Sequence, residues 1–163
     1  MIIAGFDPGL RRTGYAILRS DRSGPMSVVD AGVITSDASG SLPDRLAQIS
    51  EALDAILDEH SPRLAAVEQL YSHYKHPRTA ILMGHARGVI LLAAARQGIP
   101  VQDFSATQIK KSLTGNGRAS KAQMQRAVRL TLGLDRIPEP ADVADAIAIA
   151  LTADLMRRTA GAR

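Results

Sequence analysis

The chain has no cysteine and no tryptophan, and only five of its 163 residues are Phe or Tyr. Without cysteine there is no disulfide framework, no thiol nucleophile and no thiolate-held zinc. No apolar stretch runs to about 18 residues, so no membrane span is expected. The opening apolar run Ile2–Phe6 is too short for a signal peptide and meets Asp7 at once. Repeats, low-complexity segments and a Pro/Gly/Ser-rich linker are also missing. A chain of this length then reads as a single domain spanning 1–163, cytoplasmic and free of membrane. What is present suits that reading. Hydrophobic residues make up 45%, enough for a core, and charged residues an ordinary 22%.

The net charge is +4, which suits a polyanionic partner without requiring one. Its placement says more. Acidic residues crowd into 30–59 and 135–145. Between 71 and 129 the only carboxylate is Asp103, against Lys75, Arg78, Arg87, Arg96, Lys110, Lys111, Arg118, Lys121, Arg126 and Arg129. One middle region carries the positive field.

Residues 2–6 predict a buried strand, and Asp7-Pro8-Gly9 a turn. Residues 13–18 and 27–35 predict two more strands, giving an antiparallel meander. Leu46, Ile49, Leu53 and Ile56-Leu57 recur at helical spacing within 43–59. A short apolar run, 64–69, predicts a central strand that ends near Glu68. A helix over 78–97 closes at Gly98, and 101–104 is a fifth strand. Helices follow over 106–113, from the capping signature Ser120-x-x-Gln123 to Leu132, and over 141–159. The fold class is α/β: a mixed five-stranded sheet, antiparallel meander plus parallel strands, flanked by helices.

Four of the sixteen acidic residues do not sit on polar faces or in surface loops. Asp7 ends the first strand and Glu68 the fourth. Asp142 and Asp145 open the last helix, three residues apart and therefore on one face. Every other residue of 143–151 is apolar, so Asp145 is expected to be buried and to need a cation or a metal. Taken singly, Asp7 also suits a turn, Asp142 a helix start, and Glu68 an ion pair with an arginine. Taken together, the four form an oxygen-only donor set that selects hard ions such as Mg²⁺ or Mn²⁺. The usual task of such a set is phosphodiester hydrolysis with two ions about 3.5–4 Å apart.

Two segments suit nucleic acid. The stretch 71–78 follows Glu68 and holds Tyr71, Tyr74, Lys75 and Arg78; exposed rings with cations suit stacking on unpaired bases and phosphate contacts. Its histidines do not complete a zinc ligand set. The second segment holds Lys110, Lys111, Arg118 and Lys121, with Gly115 and Gly117 allowing close backbone approach to phosphate. Lys121 lies at a helix N-terminus, which the dipole disfavours; a bound phosphate would account for it. The small residues of 78–97 suit either a core helix or a helix paired with its twin in a dimer.

At this point the sequence resembles the RuvC family of Holliday-junction resolvases. The resemblance rests on Gly5-Phe6-Asp7-Pro8-Gly9 with Thr13-Gly14-Tyr15, on Val67-Glu68-Gln69 and on Gly84-His85-Ala86-Arg87-Gly88-Val89. It continues through Gln108-Ile109-Lys110, Ala119-Ser120-Lys121 and Ala141-Asp142-Val143-Ala144-Asp145-Ala146. These stretches follow the family's order and spacing over almost the whole chain. The resemblance implies a ribonuclease-H-like fold and a homodimer that cuts four-way junction DNA by two symmetric, Mg²⁺-dependent nicks. It implies two ions per subunit, with Mn²⁺ able to substitute, and the branch-migration proteins RuvA and RuvB as partners. It implies Asp7, Glu68, Asp142 and Asp145 as catalytic metal ligands. Tyr71 takes the place of a stacking aromatic, and Lys110 and Lys121 match basic residues near the scissile phosphate. The 72–78 loop departs from the family pattern.

Three other readings compete. An actin-like or sugar-kinase ATPase shares the Asp-x-Gly…Thr-Gly opening but needs a second lobe. The YqgF-like group shares the opening motif with an RNA-linked role; the basic segment and the Asp142/Asp145 pair favour the resolvase. A non-catalytic junction-binding protein would bind without nicking.

Overall fold

The computed structural model describes residues 1–21, 24–70 and 77–161. Its elements follow the predicted order, with boundaries within two residues of those read from the sequence. β1 (Ile2–Asp7), β2 (Arg12–Arg19) and β3 (Ser27–Thr35) form the antiparallel meander. α1 (Leu42–His60) leads to β4 (Leu64–Glu68), and α2 (Pro77–Arg96) to β5 (Val101–Phe104). Three helices then close the chain, α3 (Ala106–Thr114), α4 (Lys121–Leu132) and α5 (Ala141–Gly161). The sheet order is β3-β2-β1-β4-β5, with β1–β4 and β4–β5 parallel.

Side chains alternate between the two faces of a strand, and the two cores follow that alternation. Ala4, Phe6, Ile17, Ala65 and Val67 pack with α1 and α2. Ile3, Ala16, Leu18, Leu64 and Ala66 pack with α3, α4 and α5. By the same parity, Asp7 and Glu68 project on the α5 face. They also lie one step beyond the last registered β1–β4 pair, Phe6 with Val67. Sheet geometry alone therefore sets the two acids side by side.

α5 lies unusually close to the sheet. A Cβ on Gly5 would meet the Ala146 carbonyl oxygen at 2.3 Å, and one on Gly14 the Asp142 carbonyl oxygen at 2.2 Å. These two glycines let the first turns of α5 rest on β1 and β2. The C-terminal half is fixed by Asp154, 2% exposed. It accepts from Ser20 Oγ at 2.6 Å, Arg157 Nη2 at 2.8 Å and Arg158 Nε at 2.5 Å.

One sequence expectation needs correction. The buried carboxylate of the last helix is Asp154, a fifth acid off the polar surface; the Asp145 side chain is 39% exposed and lies near Lys121. The apolar residues around Asp145 face the sheet and the neighbouring helices, while Asp145 points out of the edge of that packing. α2 is long and apolar enough to cross a membrane by length and composition alone. Its buried positions Ala86, Ile90, Ala93 and Ala94 pack into the sheet core shared with α1, and Arg87 interrupts its apolar run.

Candidate functional site

The β1 end, the β4 end and the first turn of α5 meet at one place. Asp7 has its pKa raised to about 7, first by burial and then by the charges of Asp145, Glu68 and Asp142, with Lys121 opposing. Burial also pushes Glu68 up, with Asp145 adding and Lys110 opposing. Asp145 is raised by burial against the pull of Lys121. Carboxylates that raise one another in this way are close enough to repel, and a cation among them would relieve the repulsion.

Two cations of the chain already lean on the group. Arg12 Nε donates to Asp142 Oδ2 at 2.9 Å. Lys121 Nζ stands 3.5 Å from Asp145 Oδ2, a long contact. Among the described residues, no three acidic or histidine side chains yet converge on a single ion position. Asp142 and Asp145 are turned toward Arg12 and Lys121 instead. The donors that would surround a metal are carboxylate oxygens only, which fits a hard divalent ion and not zinc or copper.

Two of the acids, Glu68 and Asp145, line a hollow of about 280 Å³ together with Lys110, Lys121 and Met124. Lys110 reaches it from α3 and Lys121 from the start of α4. Both helices begin with a reciprocal cap. Ser105 accepts from the Gln108 backbone while the Gln108 side chain accepts from the Ser105 N–H. Ser120 and Gln123 do the same. The Ser105-x-x-Gln108 box carries the same signature as Ser120-x-x-Gln123. The proximity of Asp145 gives Lys121 a reason to sit at a helix N-terminus even without a bound phosphate.

The structure thus gathers Asp7, Glu68, Asp142, Asp145, Lys110 and Lys121. Lys111 and Arg118 are exposed nearby in sequence but do not line the hollow. Arg78 is exposed at the start of α2. Tyr71 and Lys75 lie outside the described residues. Arg87, one of the cations of the positive middle region, pairs with Asp103 and donates from Nε to the Glu68 carbonyl at 3.2 Å. The lone carboxylate of the basic region is thereby spent on holding the end of β4.

A meander followed by parallel strands, with acids at the ends of the two central strands and on the helix crossing them, defines a ribonuclease-H-like α/β protein. The family model described as crossover junction endodeoxyribonuclease RuvC matches residues 3–153. The crossover junction endodeoxyribonuclease RuvC of Rhodopirellula baltica is 55% identical over 91% of this chain and 83% of its own length. That of Petrotoga mobilis is 42% identical over 98% of this chain and 96% of its own. Thermus thermophilus RuvC, solved in complex with a Holliday junction substrate, superposes with a TM-score of 0.92. It is 31% identical, over 98% of this chain and 96% of that one. The yeast mitochondrial Holliday junction resolvase Ydc2 shares the fold, with a TM-score of 0.64 at 12% identity over 95% of this chain and 82% of that one. The chain belongs to the RuvC family of crossover junction endodeoxyribonucleases.

Proposed function

We propose that this chain cuts four-way DNA junctions by hydrolysing one phosphodiester at the carboxylate site of each subunit of a homodimer. The observation that carries the reading is the gathering of Asp7 and Glu68 at adjacent strand ends with Asp142 and Asp145 at the start of α5, beside Lys110 and Lys121. Four acids with two flanking lysines suit a metal-bound phosphate better than they suit a structural ion pair.

Asp7, Glu68, Asp142 and Asp145 would hold two Mg²⁺ ions, with Mn²⁺ able to substitute. When bound, such ions supply a nucleophilic water at neutral pH and positive charge for the departing 3′ oxygen. The chain's own part is to hold Asp7 and Glu68 close together; Asp7, whose pKa is raised to about 7, would give up its proton when a metal binds. Arg12 and Lys121 partly neutralise Asp142 and Asp145 in the metal-free chain. Lys110 and Lys121 face the phosphate. In the overall step water adds to phosphorus and the P–O3′ bond breaks, leaving a 5′-phosphate and a 3′-hydroxyl.

The dimer reading is supported by the outward face of α2, where Ile81 is 61% and Leu92 50% exposed. Gly84 and Gly88 have open space where a Cβ would stand, which permits close helix approach. A junction has approximate two-fold symmetry, and a two-fold dimer would present two equivalent sites. Tyr71, Lys75, Arg78, Lys111 and Arg118 are proposed DNA contacts, and RuvA and RuvB proposed partners. The chain is proposed to act in the cytoplasm as one nuclease domain. Nicking of a synthetic four-way junction, assayed beside a linear duplex in Mg²⁺ and in EDTA, tests the reading. Junction-selective, metal-dependent nicks are expected, and binding without nicking under several divalent metals would overturn it.

A further inference from the structure

Residues 106–132 hold six cations and no carboxylate. Lys110 and Lys121 are absorbed by the carboxylate site. On the outer face of α4, Arg126 and Arg129 line a second hollow with Gln125 and, from the following loop, Arg136. This hollow has a volume of about 630 Å³. None of the three guanidinium groups makes a hydrogen bond or an ion pair among the described residues. Asp135 and Glu139 lie on its rim but do not pair with them. Three unpaired arginines facing one space repel each other and have no internal partner, so the arrangement suits an external polyanion.

α4 is the shared wall of the two hollows. Lys121 and Met124 face the carboxylate site, while Gln125, Arg126 and Arg129 face the outer one. At 1.5 Å per residue, Arg126 lies about 7.5 Å and Arg129 about 12 Å along the helix from Lys121. Phosphates of one strand advance about 3.4 Å along a duplex axis. For a duplex arm running along α4, Arg126 and Arg129 fall about two to four phosphates from a phosphate held at Lys121.

We propose that the outer face of α4, with Arg126, Arg129 and Arg136, binds the backbone phosphates of the duplex arm leaving the carboxylate site. This deepens the function proposed above and rests on it. Arginine suits the task because its planar fork meets phosphate oxygens in pairs. The contacts carry no base information, so they would set affinity and arm direction and not cleavage sequence.

The test uses the full chain and a labelled four-way junction in EDTA, with binding followed against salt. The triple variant Arg126→Gln, Arg129→Gln, Arg136→Gln should bind more weakly. Its slope of log affinity against log salt should be shallower by about 0.9 for each phosphate that is no longer neutralised. A second junction carries neutral methylphosphonate linkages two to four phosphates from the crossover. The unaltered chain should lose the same affinity on that junction, and the variant should lose nothing further. The loss by the unaltered chain does not depend on how the variant folds. Equal affinity and slope for variant and unaltered chain on the charged junction would overturn the inference while leaving the nuclease reading standing. An unaltered chain that binds no junction would remove both.

Discussion

At the scale of single residues, Asp7 is the most informative group. Its pKa is raised from 3.8 to about 7, by burial first and by neighbouring acids second. Between those values the folded metal-free chain keeps a proton that the unfolded chain has lost. Stability of the metal-free protein should therefore fall as pH rises from about 4 to 7 and level off above. Asp7→Asn should flatten that slope and stabilise the metal-free fold above pH 7, by an amount on the order of 1 kcal/mol or more. Thermal melts in EDTA across this range check it; a variant less stable than the original at high pH would contradict it. Metal binding must displace the same proton, so affinity for Mg²⁺ should weaken below about pH 7. The acids at the strand ends were legible in the sequence because strand parity and apolar runs mark them. Arg12 as the partner of Asp142 was not, because 130 residues separate the two. Asp154 was legible in principle, since Arg157 and Arg158 follow it at i+3 and i+4.

Burial pushes Asp154 up, but the hydrogen bonds from Ser20, Arg157 and Arg158 more than offset this and leave it below the usual carboxylate range. Its contribution is present above the ordinary Asp pKa and is lost as pH falls through the lowered value. Asp154→Ala should destabilise the fold by about 2–4 kcal/mol at neutral pH, since it strips the pair from a buried position. Urea unfolding measures this, and a change within error would show the network to be incidental.

At the scale of elements, the site depends on how α5 and α4 are seated. Gly14→Ala would drive a methyl group into the Asp142 carbonyl. It should lift the start of α5, lowering both stability and nicking. Ser120→Ala removes one half of the α4 cap and should cost about 1 kcal/mol. Because Lys121 is the first residue of that helix, junction cleavage should fall more than the lost stability explains. Circular dichroism melts beside single-turnover nicking separate the two effects; parallel losses would mean that the cap serves folding alone. Element order and boundaries were readable because turn residues, capping boxes and apolar periods agree throughout. The close seating of α5 was not readable, since Gly5 and Gly14 lie within a strand pattern whose helix partner begins more than 120 residues later.

At the scale of the whole molecule, charge is divided. The acids of the site gather at the end of the central strands, and cations extend from Lys110 along α4. Junction affinity should fall steeply with salt, as phosphate contacts release counterions; a flat response would contradict a phosphate-tracking surface. The exposed α2 face should hold two copies together. Leu92→Glu should shift sedimentation toward monomer and turn paired nicks into single ones, and an unchanged dimer would move the interface elsewhere. Fold class and family were legible over nearly the whole chain. The aromatic and basic residues of 71–76 lie outside the described residues, so the expected roles of Tyr71 and Lys75 rest on sequence alone.

The central claim is that the four carboxylates cut junction DNA. Its most direct measurement is strand-resolved nicking of a four-way junction and a matched linear duplex, in Mg²⁺ and in EDTA, by the original chain and by Asp7→Asn. The account predicts paired nicks in the junction alone, only with metal and only from the original chain, while Asp7→Asn still binds. Equal nicking by Asp7→Asn, or nicking that persists in EDTA, would contradict it.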